Sequence, residues 1–245
     1  MDSGDALAAI GAEGARLLEV ASSDPARGVP TYPGWTLGDL LAHTGSVHRW
    51  VTELVRTAAR ERIHREAYGE RAAASLVAWY RAGLEQLVDA LTRADPAAPV
   101  WTLTGPGEVR FWQSRMSHET AVHRWDAELA FGTPTPFAPW LGASGIPETL
   151  EIHVARPLRD HAVGDGRSLV LACTDVQGAW TVCCNPDGVA VEPGRRPAAA
   201  QVAGSASDVW LFVMGRPSAG LRRTGDGDVV EALERAIRSV PAPSY

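Results

Sequence analysis

An α+β chain is predicted: four long helices come first, then a small sheet interleaved with shorter helices. Three observations carry this. Apolar residues recur at spacings of three and four through most of the first 131 positions. Short apolar runs bounded by turn residues occupy 168–192. Between these regions Gly132 to Pro147 holds four prolines and three glycines, which reads as a linker or wrapping loop. The expected division is therefore 1–140, a four-helix bundle, and 141–245, a C-terminal α/β domain.

Leu7, Ile10, Leu17 and Leu18 set the stripe of a first helix ending near Ser22. Pro25 to Gly34 is loop. Thr36 then suits an N-cap, with Asp39 three residues later as an acidic capping-box partner. Leu37, Leu40, Leu41, Val47, Val51, Leu54 and Val55 carry the second helix towards Arg62. A third is expected from about Glu70 to Arg93, striped by Leu76, Trp79, Tyr80, Leu84, Leu87 and Leu91, with Pro96 and Pro99 beyond it. An extended piece from Val100 to Leu103 and a Gly105-Pro106-Gly107 turn lead to a fourth helix, Val109 to Phe131. Four such helices favour a bundle. Further on, Glu148 to His161 reads as a helix interrupted by Pro157. Ser168–Thr174, Ala179–Cys184 and Val189–Glu192 read as strands, with Asn185-Pro186-Asp187-Gly188 as a turn. Ala198–Ala203 is a further strand, Ser205–Met214 a helix, Leu221–Arg223 an edge strand and Val229–Val240 a closing helix. The sheet is expected to be antiparallel.

Composition excludes several classes of partner. The 245 residues are 45% hydrophobic and 21% charged, with a formal net charge of -6. Basic pairs occur only at Arg195-Arg196 and Arg222-Arg223, too short for a phosphate-tracking stripe, so no nucleic acid is expected. The first thirty residues lack a basic start followed by an apolar core, which argues against a secretory signal. No run approaches the roughly 18 apolar residues of a spanning helix. Cys173, Cys183 and Cys184 form neither an even set nor a zinc spacing, and they read as small buried hydrophobes in a reducing cytosol. Neighbouring strand positions such as Cys183 and Cys184 point to opposite faces, so they do not suit a redox pair.

The run Arg115 to Asp126 carries the chemistry. Glu119 and His123 lie one helical turn apart, on the side continued by Trp112, Met116, Ala127 and Ala130. A carboxylate and an imidazole turned towards a core need partners, since burial without them costs several kcal/mol. His43, three residues after Leu40 and four before Val47, shares the apolar face of the second helix. Two neighbouring helices can aim His43, Glu119 and His123 at one divalent metal, with a position left open for water or substrate. His48 is rotated about 140° from His43, and His118 belongs with Val122, Trp125 and Leu129, so both are poorer ligands. A metal-free network of Glu119, His123 and Arg115 is the alternative. Asp126 could anchor Arg124 or the second nitrogen of a histidine.

The stretch from Val29 to Trp50, with Pro33-Gly34-Trp35-Thr36 and Leu40-Leu41-Ala42-His43, resembles the opening signature of the mycothiol-dependent maleylpyruvate isomerase family, within the DinB-like superfamily. Arg115 to Asp126 resembles that family's second signature, and Val202 to Arg216 its C-terminal domain. The resemblance implies a DinB-like four-helix bundle whose metal, usually zinc, sits on His43, Glu119 and His123. It also implies a C-terminal α/β domain resembling sterol-carrier folds. Mycothiol, a low-molecular-weight thiol, is the implied cofactor or co-substrate. The absence of lysine among 23 basic residues, beside heavy Ala, Gly and Arg usage, fits a GC-rich genome.

Beside a cation a thiol loses its proton more readily. An isomerase would add the thiolate to a conjugated double bond, allow rotation and release it. An S-transferase would leave it attached. His43, Glu119, His123 and Arg216 are the candidate catalytic residues. Arg216 and Arg222 are candidate cofactor-binding residues, because guanidinium forks suit anionic groups. Trp50, Trp112 and Trp125 are candidates to line a cleft, although core packing is the default for such tryptophans. The expected protein is a cytoplasmic enzyme acting on a small electrophile, without nucleic-acid or membrane partners, as a monomer or homodimer. A non-enzymatic small-molecule or metal-binding protein and a metal-dependent hydrolase are the alternatives.

Overall fold

Thr36 and Asp39 decide where the second helix begins. The Thr36 hydroxyl accepts the Asp39 N–H at 3.1 Å, and the Asp39 carboxylate accepts the Thr36 N–H at 2.9 Å, the reciprocal cap expected from the sequence. The computed structural model describes residues 3–68 and 75–240. It divides into two compact units, Met1–Thr135 and Pro136–Tyr245. The first is mainly helical and the second holds a five-stranded sheet with helices.

In the first unit α1 (Ser3–Ser23), α2 (Leu37–Arg56), α3 (Leu76–Arg93) and α4 (Val109–Leu129) pack as a bundle, α1 and α2 each meeting α3 and α4. Ile10, Leu17, Leu40, Leu54, Leu87 and Leu91 are fully buried between them, as their spacing of three and four requires. Trp50 and Trp112 meet edge to face at 5.4 Å and are also fully buried. Their indole N–H groups donate to the Ile63 and Trp101 carbonyls. With Trp125, also buried, they belong to the core rather than to a cleft.

Two boundaries differ from expectation. The second helix ends at Arg56, six residues before Arg62. Ala58 takes a left-handed φ of 46°, and the Ala59 carbonyl accepts the Trp101 N–H at 2.7 Å. A tertiary hydrogen bond thus claims residues whose helix propensity would have continued the helix. The Gly105-Pro106-Gly107 segment is a strand, not a turn. Gly105–Glu108 (β2) pairs antiparallel with Pro99–Thr102 (β1). The third helix is described from its N-cap Ser75; the expected start at Glu70 lies outside the described residues.

The second unit opens with α5 (Pro139–Glu148) and a π-helical continuation, Thr149–Ala155. This corrects the second part of the linker expected at Gly132 to Pro147, while 132–138 is loop as expected. Two glycines of α5 are contact points: a Cβ on Gly142 would stand 2.9 Å from the Ala206 backbone, and one on Gly145 would overlap the Trp210 ring. The sheet runs β5 (Gly188–Pro193), β4 (Ala179–Asn185), β3 (Ser168–Cys173), β6 (Ala200–Gly204), β7 (Arg222–Gly225). It is mixed, not antiparallel, because β3 and β6 pair parallel while the other neighbours are antiparallel. α6 (Ala206–Val213) and α7 (Gly227–Ser239) complete the unit. The cysteines are free, with Cys184 buried and Cys183 half-buried beside it on β4. Among the described residues no helix is long and apolar enough to cross a membrane.

Candidate metal centre

Every residue of α4 from Arg115 to Glu128 is buried. A helix hidden on all sides is ordinarily apolar, yet this stretch holds Arg115, His118, Glu119, His123, Arg124, Asp126 and Glu128. Buried charges require partners, and α4 finds them. Arg124 donates to Glu13 at 2.5 Å, to Glu128 at 2.9 Å and to the Thr135 carbonyl at 2.7 Å. Arg115 donates to Glu119 one turn away, as the sequence allowed.

The remaining oxygen of Glu119 faces two imidazoles. His123 Nε2, from the same helix, lies 3.2 Å from Glu119 Oε1, and His43 Nε2, from α2, lies 3.4 Å from it. The two rings meet nearly edge to face, with centroids 5.1 Å apart. One ligand atom from each of His43, Glu119 and His123 can be chosen so that all three lie within 4.8 Å of one another. Ligands about 2.0–2.1 Å from a tetrahedral cation stand about 3.3 Å apart. The two edges measured from Glu119 Oε1 match that spacing and the third is within 4.8 Å, a donor set compatible with a divalent cation. The chemistry fits too, since two imidazoles and a carboxylate suit first-row metals.

Glu119 and His123 hold one another in their charged forms. Burial pushes the Glu119 carboxyl up, but Arg115 and His123 outweigh it and hold the group well below the usual carboxylate range. Burial pushes His123 down, yet Glu119 and Asp126 outweigh that and raise it to about 9. His43 lacks a second carboxylate, and burial lowers it. His123 Nδ1 lies 3.4 Å from Asp126 Oδ2, and Asp126 Oδ1 accepts the Thr31 hydroxyl at 2.8 Å. That carboxylate stands beside Nδ1, on the side of the ring away from the Nε2 contact with Glu119. His48, judged a poorer ligand, points elsewhere: its Nε2 meets the Thr120 hydroxyl at 3.0 Å, and burial pushes it down to about 3.

Three neighbours had no site role assigned from the sequence, although Tyr32 and Trp35 fall within the opening signature. Trp35 places its ring 5.2 Å from His43, Tyr32 stands 5.8 Å from His123, and the two aromatics stack at 5.0 Å. Arg65, opening a 3₁₀ turn (Arg65–Tyr68), puts Nη1 3.4 Å from His43 Nδ1. The segment bearing Tyr32 and Trp35 is tied off by a Gly28–Thr36 bridge and turned at Gly34, φ 87°. Two aromatics in a Pro/Gly-rich turn just before a capped helix bearing a candidate ligand were the available signal. Arg216 follows α6 in the second unit, half-buried, and donates to the Met214 carbonyl at 3.2 Å. Arg222 is exposed on edge strand β7.

Residues 7–128 match the family described as the mycothiol maleylpyruvate isomerase N-terminal domain. The fold is similar to a crystal structure of the mycothiol-dependent maleylpyruvate isomerase, with a TM-score of 0.62 and 16% identity over 92% of this chain and 95% of that one. A histidine-to-alanine variant of that enzyme gives a TM-score of 0.63 at 15% identity, with the same coverage. At such identity the likeness shows the fold. No curated protein matches the chain. Through residues 7–128 the chain belongs to the mycothiol maleylpyruvate isomerase N-terminal domain family.

Proposed function

We propose that this protein is a metal-dependent, thiol-using enzyme, a mycothiol-dependent isomerase or S-transferase acting on a small electrophile. One observation carries the reading: His43, Glu119 and His123, from two helices, converge at the spacing of a three-ligand site. Family membership supplies the thiol, and the enzyme similar in fold supplies maleylpyruvate as the first electrophile to try. On this reading the helical unit is a DinB-like bundle and the second unit an α/β partner of sterol-carrier type. The enzyme is cytoplasmic, a monomer or homodimer, with zinc as the resident cation.

A divalent cation in this site would supply charge to stabilise a thiolate at neutral pH. The chain's own residues do the rest. Glu119 holds one oxygen towards the cluster while Arg115 occupies the other. Asp126, beside His123 Nδ1, is the proposed second partner of that ring. Tyr32 and Trp35 set aromatic rings beside His123 and His43. On this reading the nucleophile is the external thiol, and no protein cysteine is needed; burial raises Cys173 and Cys184 to about 11 and also raises Cys183. Arg216 and Arg222 are the proposed contacts for the thiol's or substrate's polar groups.

The test is metal analysis of purified protein, followed by maleylpyruvate consumption with and without mycothiol. About one equivalent of metal and thiol-dependent turnover are expected, and His43→Ala should lose both together. Turnover without thiol would make the protein a hydrolase. Metal binding with no turnover of any electrophile would make it a binding protein.

A further inference from the structure

We propose that Arg65 anchors a carboxylate of the bound ligand beside the His43 face of the metal cluster, an inference that rests on the metal-site reading above. Arg65 is half-buried as a residue. Its one hydrogen-bonding partner among the described residues is an uncharged acceptor, His43 Nδ1 at 3.4 Å. Other partly or fully buried arginines of the bundle are satisfied differently. Arg115 is bound to Glu119, Arg124 to Glu13 and Glu128, and Arg49 donates to two backbone carbonyls while its guanidinium lies 4.0 Å from the centre of the Trp79 ring. A guanidinium with an imidazole nitrogen in place of an anion leaves most of its fork unused.

The His43 contact is also incompatible with ligation through Nε2. A neutral imidazole carries one N–H. For Nδ1 to accept from Arg65, the proton must sit on Nε2, where it points at Glu119 Oε1 3.4 Å away. When Nε2 gives its lone pair to a cation, the proton resides on Nδ1, and Arg65 then faces a donor. The guanidinium loses its acceptor in the metal-loaded protein. Charge favours the same replacement. Glu119 and Asp126 bring two negative charges, Arg115 and Arg65 two positive ones, and a dication leaves the centre with an excess of two positive charges. A carboxylate is the planar acceptor that two guanidinium N–H groups fit in parallel. Arg65 is thus free for a ligand when the metal is present, and held by His43 when it is absent.

The experiment uses the full-length protein, loaded with zinc and titrated calorimetrically with maleate as carboxylate probe. Arg65→Gln should weaken maleate binding by about tenfold or more, the scale of a charge-assisted hydrogen bond, with zinc affinity undiminished. Arg65→Lys should recover part of the loss. In steady-state assays the defect should fall on KM rather than kcat. A rise in KM for the electrophile assigns the carboxylate to the substrate, and a rise in KM for mycothiol assigns it to the thiol. Unchanged maleate binding and unchanged KM values, with zinc still bound, would overturn the proposal alone. Zinc loss in Arg65→Gln would make Arg65 a support for His43 and overturn it too. Failure of the wild-type protein to take up zinc would bring down the metal reading first, and this proposal with it.

Discussion

Asp126 shows how little freedom a single residue has at this centre. Its two oxygens divide between the Thr31 hydroxyl and the Nδ1 edge of His123, so the loop before α2 and the ligand ring share one carboxylate. Asp126→Asn keeps the shape but can present an N–H where the ring also needs to donate. Metal affinity should fall about 10–100-fold, measured by competition with a chromophoric chelator; an unchanged affinity would remove Asp126 from the site. His43, Glu119 and His123 were legible in the sequence because helical periodicity tells which side chains share a face. Tyr32, Trp35 and Arg65 were not, since they approach from loops and a short turn that have no period to read.

At the level of elements, Glu128 ties α1, α4 and the segment after α4 together. It accepts from Arg16, from Arg124 and from both the N–H and the hydroxyl of Thr135. Burial pushes its carboxyl up, but the Thr135 hydrogen bonds and the two arginines outweigh that and hold it at about 2. Because the folded value is depressed, the stabilisation is present above about pH 4.5 and is lost as pH falls towards 2. A shift of this size corresponds to about 3 kcal/mol. Urea unfolding at pH 7 and pH 3 should show Glu128→Gln much weaker than wild type at pH 7, with the gap narrowing at pH 3. A constant gap would refute the linkage. Glycines separate two kinds of helix. Gly11 in α1 has nothing within 4 Å of an added Cβ, so Gly11→Ala should gain about 0.5–1 kcal/mol. Gly145→Ala in α5 drives a methyl into Trp210 and should cost about 1–3 kcal/mol. Thermal melts of both variants check the contrast, and equal shifts would contradict it. The difference lies in what stands opposite each glycine, which helical periodicity does not report.

For the whole molecule, ligand linkage gives the most direct measurement. If the three-ligand centre forms only in the folded chain, zinc at a hundred times its dissociation constant adds about 2.7 kcal/mol. For a chain of this size that is a rise in Tm of several degrees. The rise should vanish with chelator and be absent in His43→Ala; an equal rise in that variant would place the cation elsewhere. The -6 charge and lack of a basic stripe predict negligible affinity for duplex DNA at physiological salt, which a gel-shift assay checks.

The sequence by itself determined the helical first half, the capped start of α2, the strands of the second half and the helix faces that carry His43, Glu119 and His123. Each of these follows from local periodicity or from a side chain's reach to its own backbone. Tertiary structure alone decided where α2 stops, that β1 has a hairpin partner, that β3 and β6 run parallel and that a Pro/Gly-rich stretch is helix α5. It also decided which loop side chains stand over the histidines. Those outcomes depend on atoms distant in sequence, and local propensity carries no information about them.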